Sequence, residues 1–167
     1  MWIVEKYVKY LIGFVLLWAL LFLYRSCGCA KVVGNYMSPS YISDQFIRVR
    51  IGQNRPQSTG GPVELKDVVY FWWKVPNAKE DGYMARVVGL PGDRVGIKNG
   101  DVQIKGVNLP EEYLRPEVMA RGQNIPEIVV PRDCYFLLCD NRRDPNSPDS
   151  RRFGPIPVNA IWGRIMK

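Results

Sequence analysis

Tyr36 and Ser38 are the two hydroxyl-bearing residues flanking Met37 in the stretch Gly34-Asn35-Tyr36-Met37-Ser38-Pro39-Ser40, just after an apolar N-terminal run. A hydroxyl becomes a useful nucleophile only with a base beside it. The 167 residues contain no histidine, which excludes a Ser-His-Asp or Cys-His mechanism. The base must come from Lys, Asp, Glu or Tyr. The thiols are Cys27, Cys29, Cys134 and Cys139, and without imidazoles they leave few metal ligands. Cys27 and Cys29 are too close in sequence for an unstrained bridge. A four-thiolate metal site would need Cys134 and Cys139 carried beside that pair. Free or buried thiols are the simpler reading, so no metal or other cofactor is expected.

Positioning any such chemistry falls to an anchor and one domain. The formal charge is +7 and the pI about 9.3. The basic residues are scattered among acids rather than massed in an arm, which points to an anionic membrane surface and away from nucleic acid. Tyr10 to Tyr24 is uncharged and apolar. It falls short of the roughly 20 residues a bilayer core needs. With Lys6, Lys9 and Arg25 snorkelling, Trp2 to Arg25 can still span. Trp2, Tyr7, Tyr10 and Tyr24 suit an interfacial belt. A cleaved signal peptide, or a lipoprotein signal ending at Cys27 or Cys29, would need a better site than Ser26-Cys27-Gly28 behind Arg25. A retained single-span anchor is the expectation. Lys6 and Lys9 before the span and Arg25 and Lys31 after it nearly balance, so charge does not orient it.

Beyond the anchor, short β segments alternate with turns. Phe46–Ile51 alternates apolar and basic residues, as a half-buried strand does. Residues 52–62 read as a loop. Val68–Trp73 reads as a buried strand and Tyr83–Leu90 as another, followed by a Pro91-Gly92-Asp93 turn. Val95–Ile104 reads as a hairpin with Asn99-Gly100 at its tip. Glu127–Val130, Cys134–Leu138 and Ala160–Ile165 supply further strands. Residues 106–126 form a small excursion rather than a second domain. The set predicts a mostly β fold.

Four segments carry a more specific pattern, in order. An N-terminal span leads into Gly34-Asn35-Tyr36-Met37-Ser38-Pro39-Ser40. Tyr83-Met84-Ala85-Arg86-Val87-Val88-Gly89-Leu90-Pro91-Gly92-Asp93 comes next, then the hairpin with Leu109–Leu114 behind it. Last are Cys139-Asp140-Asn141-Arg142 and Ser147-Pro148-Asp149-Ser150-Arg151. Together they resemble the type I signal peptidases, membrane-anchored serine proteases that remove signal peptides from exported proteins. The family's corresponding boxes read Ser-Met-x-Pro-Thr, Tyr-x-Lys-Arg-Val-x-Gly-Leu-Pro-Gly-Asp, Gly-Asp-Asn-Arg and Ser-x-Asp-Ser-Arg. The resemblance covers nearly the whole chain. It implies a signal-peptidase-like antiparallel β domain over residues 31–167 and one N-terminal transmembrane helix, with anchor and exit segment over 1–30. It also implies a single-pass plasma-membrane protein with its main domain on the extracytoplasmic side.

In that family a serine attacks the scissile carbonyl, and a lysine kept neutral by burial takes its proton. Registering Met37 and Pro39 puts Tyr36 at the serine position. Registering Arg86 to Asp93 puts Ala85 at the lysine position. Three readings follow: a dead site; Ser38 as a relocated nucleophile; or Tyr36 itself as nucleophile, an unactivated phenol with a pKa near 10. No lysine remains in the strand of Ala85, since Lys74 and Lys79 belong to the preceding strand and turn. Losing both members of a pair needs no coordinated gain, so the dead site is favoured. The resemblance implies groove or bracing roles for Met37, Ser38, Pro39, Arg86, Asp140, Asn141, Arg142, Ser147, Asp149, Ser150 and Arg151, with Asp149 and Arg151 as a structural ion pair. Cys139 replaces the glycine of Gly-Asp-Asn-Arg and adds bulk. The expected function is a binding or assembly subunit, with membrane lipid and an extended signal-peptide-like segment or a membrane-complex subunit as partners. An active peptidase using Ser38 and a purely structural subunit are the alternatives.

Overall fold

The computed structural model describes residues 2–25, 27–51, 63–74 and 80–166. The expected loop at 52–62, Ser26 and Lys79 lie outside them. Helix α1 covers Trp2–Arg25. Among the described residues, no helix is long and apolar enough to cross a membrane.

The domain is built from two antiparallel sheets. The larger contains β1 (Cys27–Lys31), β2 (Phe46–Ile51), β3 (Val68–Lys74), β4 (Glu80–Gly89), β9 (Cys134–Leu138), β10 (Ile156–Pro157) and β11 (Ile161–Ile165). Its order is β1-β2-β11-β3-β4-β9-β10. The smaller contains β5 (Arg94–Lys98), β6 (Asp101–Ile104), β7 (Val107–Asn108) and β8 (Ile125–Val129), in the order β7-β6-β5-β8. Each sheet has its own apolar cluster. Val49, Val69, Phe71, Val87 and Leu137 fill the first, and Val88, Val95, Val102 and Leu138 the second.

The period-2 pattern of β2 is realised: Ile47 and Val49 are buried while Phe46, Arg48 and Arg50 are exposed. In β3 the expected full burial holds for Val68, Val69 and Phe71 but not for Trp72, which is 39% exposed. Its ring stands edge-on to Tyr70, with centroids 6.0 Å apart. The Asn-Gly hairpin forms with both tip residues at positive φ, 53° and 94°, the geometry that matches strand twist. The Pro91-Gly92-Asp93 turn joins the two sheets. There the Asp93 carboxylate accepts from the Leu90 amide at 3.0 Å, and Gly92 N–H donates to the Val130 carbonyl at 2.9 Å.

Two boundaries differ from expectation. Strand β1 begins at Cys27 and pairs along its length with β2, so the expected division between residues 30 and 31 falls inside a strand. Cys-Gly-Cys-Ala-Lys carries no strand signal of its own; the hydrogen-bonding edge of β2 recruits it. The excursion at 106–126 is partly regular, because β7 extends the small sheet and β8 begins at Ile125. A one-turn helix α2 (Ser150–Phe153) also forms, with the Asp149 side chain capping the Arg151 amide.

Candidate active site

The loop after β1 is held by its own core residue. Met37 is 1% exposed, and burying an unbranched side chain of that size anchors the turn on either side of it. Tyr41 N–H donates to the Met37 carbonyl at 2.9 Å, and Asn141 N–H donates to the Tyr36 carbonyl at 2.8 Å. The Asn141 amide also donates to the Asn35 carbonyl at 3.2 Å. Pro39 is half-buried and follows a cis peptide bond from Ser38. The loop is therefore tied to the segment after β9.

Tyr36 lies over Gly34, which adopts φ +78°. A Cβ at Gly34 would come within 2.6 Å of the Tyr36 ring, so the ring occupies the space a side chain would need. Its phenol borders a shallow groove lined by Lys31, Val32, Met37, Tyr70, Asp81, Tyr83 and Met84. Burial, followed by the charges of Asp144 and Asp81, raises the Tyr36 pKa above its ordinary value. A phenol that starts near 10 and is pushed higher is neutral and non-nucleophilic at pH 7. The Lys31 ammonium, which could have served as a base, is 2.6 Å from the Asp44 carboxylate. The Ser38 hydroxyl makes no hydrogen bond among the described residues.

Ala85 is fully buried in the larger cluster, opposite Val69 on β3. On its other side, β4 pairs Arg86 with Leu138, and one step further along the same register comes Cys139. The Cys139 thiol lies 3.5 Å from the Met84 carbonyl and is fully buried. The thiol and the Ala85 methyl belong to the same buried cluster. Burial, with Asp149 adding to it, raises the Cys139 pKa well above its ordinary value. The thiol is protonated and inert. A thiol reagent added to the folded protein is expected to modify the exposed Cys29 and leave Cys139 untouched. Cys139 should react only in parallel with unfolding, as mass spectrometry across a denaturant series will show.

Around these positions runs a buried polar network. The Arg86 guanidinium grips Asp140 through two hydrogen bonds, one of 2.8 Å from Nε. It also donates to the Lys66 carbonyl at 3.0 Å, and its plane lies over the Tyr113 ring, 4.0 Å from the centroid. Arg142 donates to the Cys139 carbonyl at 2.9 Å and pairs with Glu111. Asp149 accepts from the Cys139 amide at 3.0 Å and pairs with Arg151 at 2.7 Å. The expected Asp149–Arg151 pair thus lies within one segment, and its second partners make the crossing: Arg151 donates to the Arg142 carbonyl at 2.6 Å. Ser150 accepts from the Leu137 amide at 2.9 Å, and Ser147 reaches the Asn141 carbonyl at 3.3 Å. No buried side-chain polar atom among the described residues lacks a partner. Sequence reasoning missed Glu111 and Tyr113. Their only signal was a Glu-Glu-Tyr run inside the excursion, two acids and an aromatic that suited the partnerless arginines elsewhere.

The order of these segments and the folded domain both have counterparts among known proteins. A family profile for signal peptidase, peptidase S26, matches residues 4–167. The chain is 35% identical over 145 residues to a signal peptidase I of Bacillus caldolyticus, covering 80% of this chain and 74% of that protein. It is 30% identical over 149 residues to a signal peptidase IB of Staphylococcus aureus strain COL, covering 80% and 73%. The chain belongs to the signal peptidase family. The fold agrees. A crystal structure of a signal peptidase I from Enterococcus faecalis V583 superposes with a TM-score of 0.51 at 28% identity, over 63% of this chain and 97% of that one.

Against the signal peptidase register, the structure brings Tyr36, Met37, Asn141, Cys139 and Ala85 to one corner of the larger cluster. Arg86, Asp140, Arg142, Ser147, Asp149, Ser150 and Arg151 form the buried frame behind them. Ser38 and Pro39 lie half-buried at the rim.

Proposed function

We propose that this chain is a signal-peptidase-like protein without peptidase activity that acts as a binding or assembly subunit. In this reading it is held by a single N-terminal span in the plasma membrane, with its β domain on the extracytoplasmic side. One observation carries the reading: the nucleophile position holds a neutral phenol and the base position holds a buried methyl. Neither acyl transfer nor proton abstraction has a group to perform it. Ser38 does not replace them, because its hydroxyl has no hydrogen-bonding base among the described residues.

The groove along Val32, Tyr36 and β4 remains open, and an extended segment can lie there by strand-type contacts. No helix among the described residues is long and apolar enough by itself to cross a membrane, so membrane attachment in this reading rests on the exposed apolar surface of α1. Tyr10, Leu11, Ile12, Phe14, Val15, Leu16, Leu17 and Trp18 are all more than half exposed. Consecutive exposed apolar residues cover every side of the helix, a surface suited to lipid.

Incubating the purified full chain with a preprotein is expected to yield no cleavage, while a photo-crosslinking signal-peptide analogue labels the groove. Cleavage that Ser38→Ala abolishes, or labelling of Ser38 by a serine-directed acylating probe, would establish the active-peptidase alternative instead. The exposed Trp72 favours a second reading, a purely structural subunit. It predicts a stoichiometric partner lost on Trp72→Ala, together with no crosslink in the groove.

A further inference from the structure

A second cleft, with about 750 Å³ of open space, lies along β2 and β11, away from the groove beside Tyr36. Tyr41, Arg50, Asp67 and Arg164 line it. Arg50 and Arg164 are direct partners in the antiparallel register, so both side chains leave the same face of the sheet. Arg48 lies two residues along β2, on that face too. Like charges directly opposite one another destabilise a sheet. Asp67, the one carboxylate lining the cleft among the described residues, does not neutralise three guanidinium groups. Asp67 is 3.1 Å from Arg164 and also accepts from the Glu64 amide at 2.9 Å. Among the described residues neither Arg48 nor Arg50 has an ion-pair partner. Counting Arg48 on the same face, the described residues leave an excess of about two positive charges in and beside the cleft.

Tyr41 adds a second kind of group. It belongs to the turn that holds Tyr36, through its 2.9 Å bond to the Met37 carbonyl. Burial raises its pKa, so its hydroxyl keeps a proton to donate. Planar guanidinium forks and a hydroxyl donor around an open space make an oxyanion site, and arginine's paired N–H groups match phosphate oxygens best.

We propose that this cleft binds a phosphate group, with Arg50 and Arg164 as its clamp, Arg48 reinforcing the field and Tyr41 donating a hydrogen bond. The phosphate relieves the repulsion between the opposed arginines. It can arrive as the headgroup of an anionic phospholipid or as a free phosphate anion. The proposal is independent of whether the groove beside Tyr36 binds peptide.

The test follows thermal unfolding of the full chain in a non-ionic detergent. The additives are inorganic phosphate, a short-chain phosphatidylglycerol, acetate, and chloride at matched ionic strength. The melting temperature is expected to rise by about 3–6 °C at ten times the dissociation constant. A rise with inorganic phosphate identifies the free anion as sufficient; a rise with phosphatidylglycerol alone identifies the headgroup. Arg50→Gln is expected to abolish the response. Without ligand, this variant should melt at or above the parent temperature, because the substitution removes a repulsion and leaves the Arg164–Asp67 pair intact. An equal response in Arg50→Gln, a larger response to acetate than to phosphate, or no response beyond chloride overturns the proposal.

Discussion

A triple variant, Tyr36→Ser with Ala85→Lys and Cys139→Gly, is expected to cleave a preprotein that the parent chain leaves intact. The double variant that keeps Cys139 is expected to remain inactive and to be less stable. The first two substitutions restore the residue types that the signal peptidase family places at the nucleophile and base positions. A positioned general base contributes about 10²–10⁴-fold in rate. A lysine can fill that role near neutrality only in a buried site that keeps it neutral, and position 85 is fully buried. The space is the obstacle. The Cys139 thiol lies 3.5 Å from the carbonyl of Met84, the residue before Ala85, and is buried in the same cluster as Ala85. Adding three methylenes and an amine beside it overpacks the core, at a cost of about 1–3 kcal/mol. Removing the thiol opens the volume. Gel-based cleavage and chemical denaturation of the double and triple variants together decide the matter. Equal activity in both would show that Cys139 does not occupy the lost lysine's place.

Asp140→Ala is expected to destabilise the folded domain by about 3–5 kcal/mol, because it leaves a buried guanidinium without its counter-ion. The Arg86 side chain is 7% exposed and that of Asp140 is 0% exposed. Among the described residues, Asp140 is the one carboxylate that pairs with Arg86; its further partners are the Lys66 carbonyl and the face of Tyr113. The cost is that of the orphaned charge rather than the worth of the pair. The double variant Arg86→Met/Asp140→Leu is therefore expected to recover most of the loss, since a buried ion pair and an apolar pair of similar volume differ little. Equilibrium denaturation of the two variants checks this. A double variant as unstable as Asp140→Ala alone would show that the pair itself, and not the isolated charge, sets the stability here.

Both predictions join residues that the sequence keeps far apart, and they mark how much of the site could be read from the chain. The hairpin at Asn99-Gly100 was legible because a two-residue type I′ turn demands positive φ at both positions, and few residue pairs supply it. Strand β2 was legible because one of its faces is buried and the other is wet. The expectation that Tyr36 and Ala85 stand at the nucleophile and base positions came from neighbouring residues alone, since Met37 with Pro39, and Arg86 through Asp93, give that register without any tertiary contact.

The rest depended on pairings between distant segments. Strand β1 is small and polar, with no pattern of its own, and forms because β2 presents an open edge. Glu111 and Tyr113 looked like part of a loop until the fold carried them to Arg142 and Arg86. Cys139 appeared only as added bulk; the pairing of β4 with β9 carried it to the Met84 carbonyl and into the buried cluster that holds Ala85. The opposed Arg50 and Arg164 likewise exist only through the β2–β11 register. The sequence by itself determined the family and the β segments with strong local signals, and it set a tyrosine at position 36 and an alanine at position 85. Tertiary structure alone decided what fills the vacated space, which charges are buried in pairs and where unbalanced charge remains. Each of those depends on strand register, and register is set by the burial of whole faces rather than by any residue's own preference.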